Sequence, residues 1–241
     1  HRAVLLDGEK VVIKVQRPGV HDVMGKDIVL LKRAAGILKI LGPAQDVVDF
    51  SMVLDELWAI AKQEMDFVME ANHIEEFRHA NQDADFVSCP KVYRHLTTQH
   101  VLVMEYVDGI QIDDVAGLKA AGIDARRIGE RLGENYVKQI VEDGYFHADP
   151  HPGNIWVRGG KIVWLDLGMM GRLSNKDRAA IRKAIFALAQ HDVFEMKAAV
   201  LSLGVPQERI DHARLYQDID ALIAQYGDLD FRSLKMGILS R

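Results

Sequence analysis

Short apolar runs separated by turn residues mark the first part of the chain, a pattern typical of β-strands. Two such runs, Ala3 to Leu6 and Val11 to Gln16, flank the turn-forming segment Asp7-Gly8-Glu9-Lys10. We therefore predict a β-hairpin at the start of the chain. Two further strands are predicted at Val92-Tyr93 and at Val101 to Met104.

Helical periodicity dominates most of the remaining chain. A helix is predicted from about Asp22 to Leu41, ended by Gly42-Pro43. From Phe50 to about His79 the apolar residues recur at helical spacing, which predicts one long helix that is straight or bent. Further helices are predicted from about Ala125 to Glu142 and from Ser174 onward.

A second pair of strands interrupts this helical half of the chain. Arg158-Gly159-Gly160 joins the runs Ile155 to Val157 and Lys161 to Leu165. The order of elements, strands first and helices later, predicts an α+β fold with two unlike lobes. We assign residues 1–107 to a partial N-terminal lobe, an antiparallel sheet with helices, and residues 108–241 to a mainly helical C-terminal lobe.

Composition excludes several classes of protein. The 241 residues carry a formal net charge of −5 and no basic run, so we expect no nucleic-acid partner. One cysteine, Cys89, cannot form an internal disulfide and favours a reducing compartment. No apolar run is long enough for a membrane span. Because His1 is not a start residue, we interpret the sequence as a fragment.

The densest chemical motif is His147-Ala148-Asp149-Pro150-His151-Pro152-Gly153-Asn154, followed by a strand that ends at Asp166. Phosphoryl transfer needs a carboxylate that receives or orients the proton of the nucleophile, and oxygen ligands that hold magnesium on the nucleotide. Asp149 suits the first requirement. Asn154 and Asp166 suit the second, since Asn154 follows Asp149 at the spacing of a kinase catalytic loop.

Zinc binding is an alternative interpretation of the same motif. His147, Asp149 and His151 alternate along the chain, and both residue types bind zinc. The alternation would align the three side chains only in a strand, whereas Pro150 and Pro152 predict a loop. A kinase-type loop also has a structural use for His147, so we favour the phosphoryl-transfer interpretation.

Lys14 lies within an apolar strand, where an inward-facing lysine needs a charge partner or a bound anion. In a kinase-like site such a lysine contacts the nucleotide phosphates and is held by a helix carboxylate. Glu64, Asp66 and Glu70 are the candidate carboxylates. Glu64 falls within the apolar stripe of the predicted helix, and Asp66 and Glu70 share a neighbouring face. Periodicity alone does not choose between Glu64 and Glu70.

Taken together, these residues resemble the UbiB family of atypical protein-kinase-like ATPases, which includes regulators of coenzyme Q biosynthesis and the aarF-type kinase domains. The resemblance implies a two-lobed protein-kinase-like fold. In the family, a Lys-x-Gly-Gln helix and an alanine-rich loop precede the lysine strand. We interpret this sequence as beginning after both, and therefore as lacking the start of the N-terminal lobe. The matching motifs are Val12-Ile13-Lys14-Val15-Gln16-Arg17-Pro18-Gly19, Glu64-Met65-Asp66-Phe67 with Glu70-Ala71-Asn72, Phe146 to Asn154, and Asp166 to Arg172.

A role for each candidate residue follows from this resemblance. Lys14 would contact the nucleotide phosphates with Glu70 as its ion-pair partner, and Glu64 and Asp66 would form the family's Glu-x-Asp element. Asp149 would be the catalytic-loop aspartate. The implied magnesium ligands are Asn154 and Asp166, and the implied adenine-binding hinge is Glu105, Tyr106 and Val107.

The expected function is therefore that of an atypical kinase or ATPase that binds ATP and Mg²⁺ and supports ubiquinone biosynthesis. Two alternatives remain: a small-molecule phosphotransferase of the aminoglycoside or choline kinase type, and a catalytically weak pseudokinase that binds lipids or proteins. Expected partners are nucleotide, lipid and quinone-biosynthesis proteins. We expect a location on the cytoplasmic side of the inner membrane, with membrane association through segments outside this chain.

Overall fold

The computed structural model of the chain describes residues 1–41, 50–204 and 209–226, without the side chains of residues 37–41, 51, 63, 64 and 226. The predicted helix end at Gly42-Pro43 and the helical prediction for residues 227–241 lie outside the described residues.

Strands and helices are both abundant, which confirms the predicted α+β class. The strands are β1 (Arg2–Val4), β2 (Lys10–Val15), β3 (Val87–Ser88), β4 (Val101–Glu105), β5 (Ile110–Gln111), β6 (Tyr145–His147), β7 (Ile155–Arg158), β8 (Lys161–Trp164) and β9 (Met170–Arg172). The α-helices are α1 (Val20–Leu41), α2 (Phe50–Glu64), α3 (Phe67–Ala80), α4 (Val115–Ala120), α5 (Ala125–Val137), α6 (Asn175–Gln190), α7 (Val193–Leu203) and α8 (His212–Tyr226).

The chain forms two compact units. The first unit contains His1–Gly117 and His151–Met169, and the second contains Leu118–Pro150 and the chain from Met170 onward. Residues 151–169 thus belong with the N-terminal part of the chain, although the sequence assigns them to the C-terminal lobe. The lobe boundary at residue 107 stays a prediction. Among the described helices, none is both long and apolar enough to cross a bilayer.

An antiparallel sheet in the order β1-β2-β4 carries the predicted lysine strand. The predicted hairpin at the start of the chain is confirmed by the pairing of β1 with β2. Val11 packs in a buried cluster with Tyr93 and Val103, against which Ile13 also packs. Because side chains alternate across a strand, Lys14 points to the opposite face of the sheet from Ile13.

A second sheet, in the order β3-β8-β7-β5, carries the predicted hairpin of the later chain. Strands β7 and β8 pair antiparallel, and Gly159 and Gly160 between them have φ angles of +57° and +76°. Glycine tolerates these positive angles, which a two-residue hairpin turn requires. The two-residue strands β3 and β5 were not predicted, because such short segments show no alternation.

The prediction of one long helix from Phe50 to about His79 is wrong, since the structure has two helices, α2 and α3. Asp66 between them adopts an extended conformation, and its carboxylate accepts a hydrogen bond from the N–H of Val68. The N–H of Phe67 donates to the carbonyl of Gln99 instead of to the preceding helix. Asp66 is therefore an N-cap that starts a new helix.

The second unit contains the paired strands β6 and β9 and the helices that follow them. The helix predicted from Ala125 to Glu142 is α-helical only to Val137, and a π-helical segment spans Lys138–Asp143. Strand β6 was not predicted from the sequence. Its partner β9 lies far along the chain, and three residues are too few to show a strand pattern.

Candidate active site

Lys14 lies between two carboxylates in the first unit. Its Nζ atom is 2.6 Å from Oε1 of Glu70 and 3.1 Å from Oδ2 of Asp166. Strand β2 supplies the lysine and helix α3 supplies Glu70, which is buried. Glu70, one of the two glutamates left open by the sequence, is thus brought to Lys14 by the structure. One ammonium and two carboxylates give this cluster a net charge of −1.

The charge of Lys14 reflects a competition between burial and its two partners. Burial acts to lower the pKa of Lys14, whereas Glu70 and then Asp166 raise it by charge attraction and hydrogen bonding. The combined effect of the two carboxylates is larger than that of burial, so the pKa of Lys14 is raised above its ordinary value of 10.5. The ammonium is therefore charged throughout the neutral range, as a contact to phosphate requires.

Backbone contacts fix the segment Asp166-Leu167-Gly168 against α3. Oδ1 of Asp166 accepts a hydrogen bond from the N–H of Gly168 at 3.1 Å. Nδ1 of His73, on α3, donates to the carbonyl oxygen of Leu167 at 3.0 Å, and the Leu167 side chain is fully buried. The side chain of Asp166 remains 47% exposed, so a ligand can reach its carboxylate.

Asn154 lies at the same end of the β7–β8 hairpin as Asp166. The register pairs Ile155 with Trp164, and the N–H of Leu165 donates to the carbonyl oxygen of Asn154 at 2.9 Å. Antiparallel pairing thus brings the two predicted magnesium ligands to one edge of the sheet.

Asp66 and Glu64, the predicted Glu-x-Asp element, lie where α2 gives way to α3. The Asp66 carboxylate caps α3 by accepting from Val68 N at 2.9 Å. Nearby, Nε2 of Gln16 donates to the carbonyl oxygen of Met65 at 3.1 Å and ties the end of the lysine strand to this break. The side chain of Glu64 is outside the described part of the chain, so its role stays a prediction.

The predicted hinge, Glu105 to Val107, begins at the last residue of β4. The N–H groups of Glu105 and Tyr106 donate to carbonyls of the protein at 2.8 and 3.0 Å. One carboxylate oxygen of Glu105 accepts from Nη1 of Arg158 at 2.6 Å. The N–H groups of Glu105 and Tyr106 and the Glu105 side chain are therefore engaged within the protein. Among the three hinge N–H groups, we expect that of Val107 to contact adenine.

Asp149 belongs to the second unit and follows β6. Its N–H donates to Nδ1 of His147, a buried side chain, at 3.1 Å. Within the first unit the structure joins Lys14 to Glu70 and Asp166, and it places Asn154 at the same end of the β7–β8 hairpin as Asp166. Asp149 lies in the second unit.

The two histidines of the alternative zinc site accept hydrogen bonds from backbone N–H groups. Nδ1 of His147 accepts from Asp149 N, and Nδ1 of His151 accepts from Gly153 N at 2.8 Å. Among the residues that the structure describes, no group of three or more His, Cys, Asp or Glu side chains could hold a metal ion. The described geometry lends the zinc interpretation no support.

Several residues that support the site were not found from the sequence. His73 and Arg158 act through tertiary contacts that leave no sequence pattern. Asn135 and Gln139 did leave a signal, because they form a polar pair four positions apart in a helical region and both are buried. A buried polar pair of this kind requires a partner and could have been singled out.

Comparison with known proteins places this geometry in a family. The ABC1 atypical kinase-like domain matches residues 1–200. A Clostridium pasteurianum protein, described as an uncharacterized protein in the hydrogenase 1 5′ region, is 35% identical over 99% of this chain and 45% of its own length. The chloroplastic protein ACTIVITY OF BC1 COMPLEX KINASE 8 of Arabidopsis thaliana is 38% identical over 85% of this chain and 28% of its own length. The chain thus spans less than half the length of these relatives.

A solved structure shares the fold. The complex of Rv3197 with erythromycin, from Mycobacterium tuberculosis, matches with a TM-score of 0.70 and 23% identity over 95% of this chain and 56% of that chain. The resemblance to the UbiB family and the predicted kinase-like fold are both confirmed by these comparisons, and the chain belongs to the ABC1 (UbiB) family of atypical kinase-like domains.

Proposed function

We propose that this domain binds Mg-ATP and catalyses ATP hydrolysis or phosphoryl transfer in support of isoprenoid-quinone biosynthesis. The observation that carries the proposal is the position of Lys14 Nζ, 2.6 Å from Glu70 and 3.1 Å from Asp166. A fixed cation beside an accessible carboxylate is the arrangement that kinase-type sites use to hold nucleotide phosphates. Membership in a family whose relatives are named kinases supports the same reaction class.

Lys14 and Glu70 form the phosphate-binding part of the proposed site. Glu70 is buried and holds the ammonium by the shorter contact, whereas Asp166 is half exposed at a longer distance. An incoming phosphate can therefore replace Asp166 beside Lys14 while Glu70 keeps the lysine in position. The charge of the lysine strengthens this contact, since a hydrogen bond from an ammonium to a phosphate oxygen is about twice as strong as one between neutral groups.

Asp166 and Asn154 fit a divalent cation by charge and by atom type. The cluster has a net charge of −1, and a carboxylate and a carboxamide oxygen are the ligands that Mg²⁺ prefers. Bound Mg²⁺ would neutralise charge on the phosphates. The Asp166 carboxylate is oriented by the N–H of Gly168, and Asn154 is held by the pairing of its carbonyl with Leu165.

Asp149 is the proposed acceptor or orienting group for the proton of the attacking hydroxyl or water. Its N–H donates to Nδ1 of His147, and this hydrogen bond holds the backbone from which the carboxylate extends. For the nucleobase, we propose backbone contacts at the hinge Glu105, Tyr106 and Val107, made by the N–H of Val107 and by hinge carbonyl oxygens, because the N–H groups of Glu105 and Tyr106 and the Glu105 side chain are engaged within the protein.

Nucleotide, lipid and quinone-biosynthesis proteins are the proposed partners. We place the protein on the cytoplasmic side of the inner membrane, with membrane contact made by segments outside this chain. This part of the proposal rests on family membership.

ATP binding and hydrolysis in the full-length protein test the proposed site. Lys14→Ala should weaken nucleotide binding, and Asp166→Asn should lower both binding and turnover by at least about tenfold, because each removes a charge that the phosphates or magnesium require. Lys10→Ala is the matched control, since Lys10 lies on the same strand and is exposed. Equal nucleotide affinity and turnover in all four proteins would contradict the assignment.

Quinone levels separate the proposed role from the alternatives. Cells that lack the protein should contain less ubiquinone, and the wild-type gene but not the Asp166→Asn variant should restore it. Unchanged ubiquinone, together with phosphorylation of an aminoglycoside or choline, would favour a small-molecule phosphotransferase. Restoration by the Asp166→Asn variant would favour a pseudokinase that acts by binding alone.

A further inference from the structure

The π-helical segment Lys138–Asp143 begins where α5 ends and leads directly into β6. Such segments are rare, and they persist where the surrounding contacts compensate for their weaker geometry. Here two arginines of α6 supply the contacts: Nη1 of Arg178 donates to the carbonyl of Glu142 at 2.6 Å, and Nε of Arg182 donates to that of Val141 at 3.0 Å. The π-helical segment is thus held in place by side chains of a different helix, α6.

Gln139, in the first turn of this segment, is completely buried and uses both ends of its amide. Its Oε1 accepts a hydrogen bond from the N–H of His147 at 3.0 Å, and its Nε2 donates to Oδ1 of Asn135 at 2.8 Å. A backbone N–H can only donate, so the amide oxygen must face His147. Asn135 is also buried and holds the amide in that orientation.

His147 receives a second contact, on its carbonyl side. The hydroxyl of Tyr136 donates to the carbonyl oxygen of His147 at 3.0 Å. Burial raises the pKa of Tyr136, so the hydroxyl keeps its proton and remains a donor. Both backbone polar groups of His147 are therefore bound by side chains from one helical region.

The next link runs from His147 to Asp149. Nδ1 of His147 accepts the N–H of Asp149 at 3.1 Å, which requires Nδ1 to be unprotonated. The chain of contacts leads from Asn135 through Gln139 and His147 to the backbone of Asp149, and all four residues belong to the second unit.

We infer that Gln139 is a positioning residue that fixes the backbone of His147 and, through the His147 ring, the place of Asp149. The inference rests on the proposed function, in which Asp149 handles the proton of the nucleophile. Gln139 contacts no reacting group in this scheme. Its loss should misplace the Asp149 carboxylate and slow the chemical step, while nucleotide affinity, which depends on Lys14 and Asp166 in the first unit, stays unchanged.

Turnover and nucleotide affinity of Gln139→Met in the full-length protein are the first test. Methionine has a similar volume and lacks both amide groups. We expect kcat to fall by about 10- to 100-fold, with nucleotide Kd within twofold of the wild type. Gln217→Met is the matched control, because Gln217 is exposed on α8 of the same unit, and it should keep wild-type values. Tyr136→Phe, which removes only the hydroxyl, should give a smaller loss of kcat.

A double-variant cycle separates positioning from general damage. If Gln139 acts through Asp149, then Gln139→Met combined with Asp149→Asn should lose no more activity than Asp149→Asn alone. Losses that multiply, a wild-type kcat for Gln139→Met, or a change in Kd as large as the change in kcat would each overturn the inference.

Amide hydrogen exchange supplies a readout that needs no activity. Gln139→Met should speed exchange at His147 and Asp149, whose N–H groups end the chain of contacts, and Gln217→Met should not. Unchanged exchange in Gln139→Met would overturn the inference. A wild-type protein without ATP turnover would defeat the proposed function, and faster exchange in Gln139→Met would then still uphold the positioning of the Asp149 backbone.

Discussion

Glu70 and Asp166 both contact Lys14, but their surroundings give them different tasks. The Glu70 side chain is 6% exposed and that of Asp166 is 47% exposed. Water and ligands can compete for the exposed carboxylate and not for the buried one. Glu70 is thus the permanent partner of the lysine, and Asp166 is the partner that can be exchanged.

Glu70→Gln tests the permanent partner. Burial lowers the pKa of Lys14, and in this variant only Asp166 remains to raise it. The pKa of Lys14 should therefore fall. We expect a loss of about 1–3 kcal/mol in the free energy of unfolding, because a buried pair is broken. Denaturant titration measures the stability, and an NMR titration of the lysine side chain measures the pKa.

Glu75 is a matched control, because it lies on the same helix as Glu70, α3, and its carboxylate pairs with Arg94 at the surface. Glu75→Gln should cost at most about 1 kcal/mol, since exposed ion pairs contribute little. Equal losses of stability in the two variants would contradict the distinction drawn for Glu70.

Cys89 makes the stability of the fold depend on pH in the alkaline range. Burial raises the pKa of its thiol from 9.0 to about 11. Between these values the unfolded chain gives up a proton that the folded chain retains, so stability falls as the pH rises. From about pH 8 to about pH 10 the loss should reach about 1.4 kcal/mol.

Cys89→Ala isolates this contribution, because every other titrating group is shared with the wild type. Denaturant unfolding at several pH values should show that the stability advantage of the wild type over Cys89→Ala shrinks across this range. A constant difference between the two proteins would mean that the thiol is not buried as described.

At the scale of elements, the junction of α2 and α3 shows what periodicity cannot reveal. The apolar spacing runs through the junction without a break, and it predicts one helix. The break depends on the Asp66 carboxylate and on the Gln99 carbonyl, which comes from a distant part of the chain. The β7–β8 hairpin was predicted correctly, because its signal, two glycines between apolar runs, is local.

Substitutions of Asp66 distinguish its capping role from a role of its charge. Asp66→Ala should destabilise the protein by about 1 kcal/mol through loss of the N-cap, whereas Asp66→Asn should keep most of that stability. Urea unfolding measures both changes. If Asp66→Asn is stable and yet loses ATP turnover, the charge of Asp66 has a function beyond capping. Equal losses of stability in the two variants would contradict the capping role.

At the scale of the whole molecule, the two units divide the candidate site residues in a way that the sequence does not show. The motifs around Lys14, Asp149 and Asp166 were recognised because the residues within each motif are close along the chain. The residues that support these motifs were not recognised. The contact of His73 with Leu167 joins segments that are 94 positions apart, and the contact of Gln139 with His147 depends on how the chain turns from the π-helical segment into β6. Local chemistry was thus predictable and its positioning was not.

Nucleotide should stabilise the first unit specifically. Mg-ATP at about 100 times its Kd should add about 2.7 kcal/mol to the free energy of unfolding. Protection from amide exchange should be greatest in β2, α3 and the β7–β8 hairpin, which carry Lys14, Glu70, Asn154 and Asp166. Exchange by mass spectrometry measures the pattern. Lys10→Ala should show the same protection and Lys14→Ala should not, and uniform protection of both units would contradict the assignment.

The anchored segment Asp166-Leu167-Gly168 has a consequence for inhibitor design. A compound that acts by trapping this segment in an outward-flipped state must withdraw Leu167 from its buried position and break its contact with His73. Exposing a leucine side chain alone costs about 1.5–3 kcal/mol, which corresponds to roughly a 10- to 100-fold loss of affinity. Chemical libraries aimed at this domain should therefore favour compounds that compete for the lysine with the segment left in place.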